Sequence, residues 1–357
     1  MTGISRRAVS SNAAGRAIAA LVVPSRTYVM AGRPAELDLE RLEGAAEGVA
    51  SLGLDVVRTA GPWRNWKRYG GTDAERTAEL QAALADPDVD LVLPVRGGCG
   101  MMRVLPGLDW KAIARRQPLA MGFSDFTAFN MALLARTGLP SWQGPMAGGL
   151  APGHSTAASK RSFLRALALP GWAAQWDAGR ADGVAPGEGR AAGLLWGGNL
   201  SMIVSLLGTP WFPAPKLVRG GILYLEDVGE AAYRIDRMLL QLEAAGVLAS
   251  QRAVVFGAFT GADRAAAPEG DLRLPDVLSD MASRLSRQGV LCAAGLPFGH
   301  IDELMALPFG VPGSLEISGG AARLSAPAAP VLGRGRERLL AALSSLEAQQ
   351  PCGEAAS

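Results

Sequence analysis

The feature that most limits what this chain can fold into is the regular alternation of short apolar runs with amphipathic stretches between Ala17 and about Leu133. A parallel sheet covered by helices has that texture, because its strands are buried on both faces and each crossover helix on one. Ala17 to Val23 opens the series as a strand. Leu37 to Leu52 reads as a helix and Leu54 to Val57 as the next strand. Thr72-Asp73-Ala74-Glu75 has the spacing of a capping box and predicts a helix reaching Ala85. Asp90 to Val95 is a strand that runs into Arg96-Gly97-Gly98-Cys99-Gly100, Leu119 to Phe123 is another, and Phe126, Phe129 and Leu133 line one face of a following helix.

From about 150 to 193 the texture changes to Gly, Ala, Pro and scattered charge, with one helix expected near Ala157 to Ala168. Beyond it come a helix after Asn199, a strand at Gly221 to Leu225, a helix from about Ala231 to Ala245, a strand at Ala253 to Phe256, a helix near Pro275 to Arg287, and a strand-like Gly289 to Ala293. A chain of 357 residues suits about two domains. We therefore expect an α/β N-terminal domain with a parallel sheet over 1–150, a linker and loop region over 151–193, a second, mixed α/β domain over 194–332, and a C-terminal helix and tail over 333–357. Leu339, Leu340, Leu343 and Leu346 share one side of that last helix, which is suited to packing on the body or on a partner subunit.

Charge and cysteine usage exclude several functions. Lys and Arg number 35 against 33 Asp and Glu, so no broad basic face is expected to bind nucleic acid or anionic lipid. Ala17 to Val23 is far too short to span a membrane, and although Ser5-Arg6-Arg7 ahead of it faintly resembles a twin-arginine signal, the run reads better as a buried strand. Cys99, Cys292 and Cys352 form no C-x-x-C unit, which suits a reducing compartment. With His154 and His300 the only histidines, no histidine-rich metal site is expected.

Ser124, in Met121-Gly122-Phe123-Ser124-Asp125-Phe126, stands at a strand-to-helix corner and has two readings. It is a helix N-cap, or a nucleophile lifted out of the sheet by a tight turn. Arg96-Gly97-Gly98-Cys99-Gly100 lets backbone N–H groups approach a ligand; it matches neither nucleotide-loop fingerprint, leaving an oxyanion-binding loop or a plain tight turn. Cys99 is itself a candidate nucleophile, ranked below Ser124. An imidazole base comes from His154, read as a solvated loop residue, or from His300, which follows Leu296-Pro297-Phe298-Gly299. Gly221-Ile222-Leu223-Tyr224-Leu225-Glu226-Asp227 ends in two carboxylates on opposite strand faces, so one orients a base or both are a solvated strand end. Serine, histidine, carboxylate and Gly-rich loop together suggest acyl transfer.

Those strings, with Gly144-Pro145-Met146, Trp196-Gly197-Gly198-Asn199-Leu200, Tyr233-Arg234-Ile235-Asp236-Arg237-Met238-Leu239, Phe298-Gly299-His300 and Leu307-Pro308-Phe309-Gly310, resemble in order the LD-carboxypeptidases, serine peptidases that include the microcin C self-immunity hydrolases. The resemblance implies a flavodoxin-like N-terminal domain, a C-terminal α/β domain, and a triad shared between them. Ser124 would be the nucleophile, His300 the general base and Glu226 the residue holding the imidazole, with the backbone N–H groups of Gly98 and Asp125 as oxyanion hole. It further implies a cytoplasmic homodimer without metal or other cofactor, acting on a peptide or muropeptide and releasing terminal D-Ala from murein tetrapeptides in cell-wall recycling. Cys99, Trp196 and Asn199 are expected at the substrate.

Cys99 replaces the family's usual Tyr, Gln143 stands where His is expected, and the stretch near 178–192 looks like an enlarged loop. Two alternatives follow. One is hydrolysis of an aminoacyl-nucleotide amide, with Trp176 stacking on the base. The other is a non-catalytic module binding a small anion at the Gly-rich loop.

Overall fold

The computed structural model describes residues 15–26, 35–59, 64–179, 183–263 and 270–349. Ser5-Arg6-Arg7, residues 180–182 of the Gly/Ala-rich stretch, Cys352 and the tail beyond 349 lie outside the described residues. The fold is mixed α/β and divides into two compact units, each assembled from separate stretches of chain.

The first unit comprises residues 1–122, 144–170 and 330–357. Its sheet contains β1 (Ile18–Val22), β2 (Asp55–Arg58), β3 (Leu91–Pro94) and β4 (Leu119–Ala120), in the order β2-β1-β3-β4 with every pairing parallel. The five β1 residues are all buried, as expected of a central strand covered on both faces. Helices Ala35–Ser51, Asp73–Ala85 and Trp110–Arg116 supply the crossovers. The predicted capping box is present: Glu75 N donates to Thr72 Oγ1 at 3.2 Å and Thr72 N to Glu75 Oε2 at 2.8 Å.

The C-terminal helix Arg336–Ala348 packs on helix Ala157–Ala168 of the same unit, burying Leu339 and Leu343. Arg336 Nε donates to Ala168 O at 3.0 Å. Arg334 reaches Asp90 at 2.7 Å, and the same carboxylate accepts from Ile18 N at 2.7 Å. The body therefore covers Leu339 and Leu343, while Leu340 and Leu346 are half-buried.

The second unit comprises residues 123–143 and 171–329. Its seven-stranded sheet is built from β6 (Trp172–Asp177), β7 (Gly189–Asn199), β8 (Ile222–Val228), β9 (Ala253–Thr260), β10 (Leu291–Ala293), β12 (Val311–Ser318) and β13 (Ala321–Ala326), in the order β10-β9-β8-β7-β12-β13-β6. The four strands from β10 to β7 run parallel and the rest antiparallel. A separate antiparallel pair joins β5 (Ser141–Gln143) to β11 (Leu307–Phe309).

Two segments differ from expectation. The stretch 151–193, expected as linker and loop, contains β6 and the start of β7 as well as the predicted helix. Leu119 to Phe123 pairs as a strand only at Leu119–Ala120, and Phe123 already belongs to the second unit.

Candidate active site

The second unit brings Ser124, Glu226 and His300 into one hydrogen-bonded line. After β4 the chain makes a 3₁₀ turn over Ser124–Phe126 before helix Thr127–Thr137, and Ser124 has a φ of +60°. That left-handed conformation is costly for a residue with a Cβ. The N-cap position of the helix falls to Phe126, whose side chain makes no capping bond. The N-cap reading of Ser124 is thereby replaced, and its hydroxyl is turned to His300, with Oγ 3.1 Å from Nε2.

Glu226 holds the other side of the ring, with Oε2 2.8 Å from His300 Nδ1. A carboxylate only accepts, so Nδ1 carries the proton and Nε2 presents its lone pair to the serine O–H. Glu226 is fully buried while the His300 side chain is 24% exposed. A register shift aims the carboxylate. Leu225 pairs with Phe256 and Asp227 with Phe259, so Gly257 and Ala258 of β9 together oppose Glu226, the arrangement of a bulge. Ala258 N then donates to Phe298 O at 2.9 Å, tying the bulge to the segment that carries the histidine. Only glycine fits at 257, where a Cβ would lie 2.5 Å from Phe298 O. His300 is further fixed by Thr260 Oγ1, which donates to its carbonyl at 3.0 Å, and by the Phe123 ring, 4.8 Å away.

Asp227 is also buried and is no solvated strand end. It accepts from Ser201 N at 2.8 Å, Ser201 Oγ at 2.7 Å and Val228 N at 2.7 Å. Asn199 links the two carboxylates: its Nδ2 donates to Glu226 Oε1 at 3.2 Å and Asp227 Oδ1 at 3.3 Å, and its Oδ1 accepts from Met202 N at 3.1 Å. Its own N–H donates to Thr127 Oγ1 at 3.2 Å. Asn199 was expected at the substrate; its polar atoms are instead consumed inside the protein.

Trp196 requires the same correction. Its side chain is fully buried, Nε1 donates to Gln251 Oε1 at 3.0 Å, and the ring meets Phe212 edge to face, so it is a core residue. Trp176 is buried too, donating to Ala294 O at 2.9 Å, which removes it as a base-stacking aromatic. His154 lies exposed in its loop, as expected. Burial pushes the Cys292 thiol up to about 12.

Asp125 belongs to the second unit and is buried, whereas Gly98 and Cys99 belong to the first. Gly98 has a φ of +116°, and Cys99 is a partly exposed free thiol. Arg76, which stands in none of the sequence motifs, supports this loop: it is buried, donates to Gly100 O at 3.1 Å and lies 4.5 Å from the Tyr69 ring centroid. Gln143, where the resemblance leads to a histidine, donates to Gly197 O at 2.9 Å and Thr127 Oγ1 at 3.2 Å. Among the described residues, no three His, Cys, Asp or Glu side chains are grouped as metal ligands.

Comparison with known proteins bears on the family and the fold. The model of the LD-carboxypeptidase N-terminal domain matches residues 28–144, and that of the C-terminal domain residues 192–315. A putative carboxypeptidase of Streptomyces coelicolor is 40% identical over 293 residues, 81% of this chain and 90% of its own. The crystal structure of muramoyltetrapeptide carboxypeptidase from Oxalobacter formigenes superposes with a TM-score of 0.76 at 32% identity, covering 88% of this chain and 100% of that one. The microcin C7 self-immunity protein MccF of Escherichia coli is 26% identical over 272 residues, 68% of this chain and 75% of its own.

Proposed function

This chain belongs to the LD-carboxypeptidase family, and from that premise we propose that it is a serine carboxypeptidase releasing terminal D-Ala from murein tetrapeptides, with Ser124 as nucleophile, His300 as general base and Glu226 as the residue orienting the imidazole. The observation that carries this reading is the unbroken line from Ser124 Oγ to His300 Nε2 at 3.1 Å and from Nδ1 to Glu226 Oε2 at 2.8 Å. The substrate class follows the Oxalobacter relative, whose name specifies a muramoyltetrapeptide.

In the first half-reaction Oγ bonds to the carbonyl carbon as its proton passes to Nε2. The tetrahedral intermediate then expels the amine of D-Ala, which takes that proton from the imidazolium, and an acyl-enzyme remains. Water repeats the sequence: its oxygen bonds to the acyl carbon as His300 takes its proton, the ester to Ser124 breaks, and the imidazolium returns the proton to Oγ. For the developing oxyanion we assign the backbone N–H of Asp125, the residue after the nucleophile, and that of Gly98 by its place in the family motif. Each such donor is worth about 10²- to 10³-fold in rate. The resemblance also supports a cytoplasmic homodimer acting in peptidoglycan recycling. Among the described residues, no helix is long and apolar enough to cross a membrane.

The test offers the full chain a murein tetrapeptide and a peptidyl-nucleotide in parallel, with products read by mass spectrometry. D-Ala release from the tetrapeptide, falling by about 10⁴- to 10⁶-fold in Ser124→Ala, is the expected result. Undiminished release by that variant removes Ser124 as nucleophile. Cleavage of the nucleotide conjugate alone replaces the substrate.

A further inference from the structure

We propose that Asp227, a buried carboxylate the reaction does not use, is a positioning residue that acts through Asn199 to hold Glu226 in line with His300; this rests on the reading of Ser124, His300 and Glu226 given above. Glu226 meets the imidazole through Oε2. Its second oxygen, Oε1, accepts from Asn199 Nδ2 at 3.2 Å, and a buried carboxylate needs such a donor on its far side to have its oxygens satisfied and its rotation fixed.

An asparagine amide supplies that donor in only one of its two orientations, because the flipped form would set its oxygen against the carboxylate. Two contacts select the productive orientation. Met202 N donates to Asn199 Oδ1 at 3.1 Å, and Asp227 Oδ1 receives the amide's other hydrogen at 3.3 Å. Asp227 is in turn immobilised by Ser201 N, Ser201 Oγ and Val228 N, at 2.8, 2.7 and 2.7 Å. Both of its oxygens therefore face donors. Oδ1 takes Asn199 and Val228, while Oδ2 takes Ser201 twice.

An amide at 227 cannot meet that pattern. Whichever side its nitrogen occupies, Asp227→Asn confronts a backbone N–H that cannot turn away, and relief requires Asn199 or the strand end to move. Ser201→Ala is milder, since it removes one of the two bonds to Oδ2 and leaves the backbone donor in place.

The experiment measures D-Ala release by the full chain, together with the rate at which a fluorophosphonate labels Ser124, in the wild type, Asp227→Asn, Ser201→Ala and Ser124→Ala. For Asp227→Asn we expect kcat to fall by up to about 10²-fold with KM nearly unchanged, and labelling to slow in proportion. Ser201→Ala should show a smaller loss of the same kind. Wild-type labelling rates in both variants overturn the proposal, as does a loss confined to KM. If Asp227→Asn fails to fold, Ser201→Ala decides alone: slowed labelling supports the positioning role and an unchanged rate removes it. Continued turnover by Ser124→Ala identifies the underlying site assignment as the failure instead.

Discussion

At the scale of single residues, Ser124 spends conformational energy on orientation. Its φ of +60° costs an L-residue about 1–2 kcal/mol, a strain typical of nucleophiles carried on sharp strand-to-helix turns. Glycine relieves that strain, although its greater freedom when unfolded offsets about 0.4–1 kcal/mol of the gain. Ser124→Gly should consequently melt no lower than Ser124→Ala in calorimetry, while both lose D-Ala release. A clearly lower melting temperature for the glycine variant would contradict the strain. The resemblance singled out Ser124, His300 and Glu226, whereas the residues alone left Glu226 and Asp227 undecided; the structure sets Ser124, His300 and Glu226 in one hydrogen-bonded line. Trp196 and Asn199 were misread because Trp-Gly-Gly-Asn marks closeness to the site without saying which way each side chain points. Gly197, at a φ of +143°, explains the motif: a Cβ there would lie 1.9 Å from Tyr224 O, so the glycine lets β7 press against β8.

At the scale of elements, the bulge of β9 opposite Glu226 links two strand ends to the histidine loop. Gly257→Ala would push a methyl group against Phe298 O, 2.5 Å from the ideal Cβ position. The displacement should pass along Phe298-Gly299-His300 and lower kcat by up to about 10²-fold, whereas the neighbouring Ala258→Gly should cost far less. Stopped-flow acylation of the two variants makes the comparison, and equal rates would remove the bulge as an aiming device. Helices were easier to read than strands here, since caps and apolar faces mark them within a short window. Helix Ala157–Ala168 was expected at its observed bounds. β6 was overlooked although Trp172, Ala174 and Trp176 alternate with exposed residues. The Gly- and Ala-rich start of β7 is poor strand material by composition, and long-range pairing with β12 gives it its form.

At the scale of the whole molecule, the order of the chain is a poor guide to its compact units. Ser124, far ahead of Glu226 and His300 in the chain, falls in the same compact unit as they do. Helix Thr127–Thr137 is buried from Thr127 to Leu134 and packs on β5, β7 and helix Leu200–Leu206. A fragment ending at residue 150 would carry that helix without β7 or Leu200–Leu206, presenting apolar surface to water. Size-exclusion chromatography should find such a fragment aggregated, and a monodisperse, cooperatively melting fragment would contradict the assignment.

The three relay side chains lie in one compact unit, and we expect them to share one unfolding transition. If denaturant melts the two units at separate midpoints, reactivity of the serine toward a small phosphonate should survive loss of the first unit and vanish with the second, making Ser124 a built-in reporter of which half of the molecule still stands.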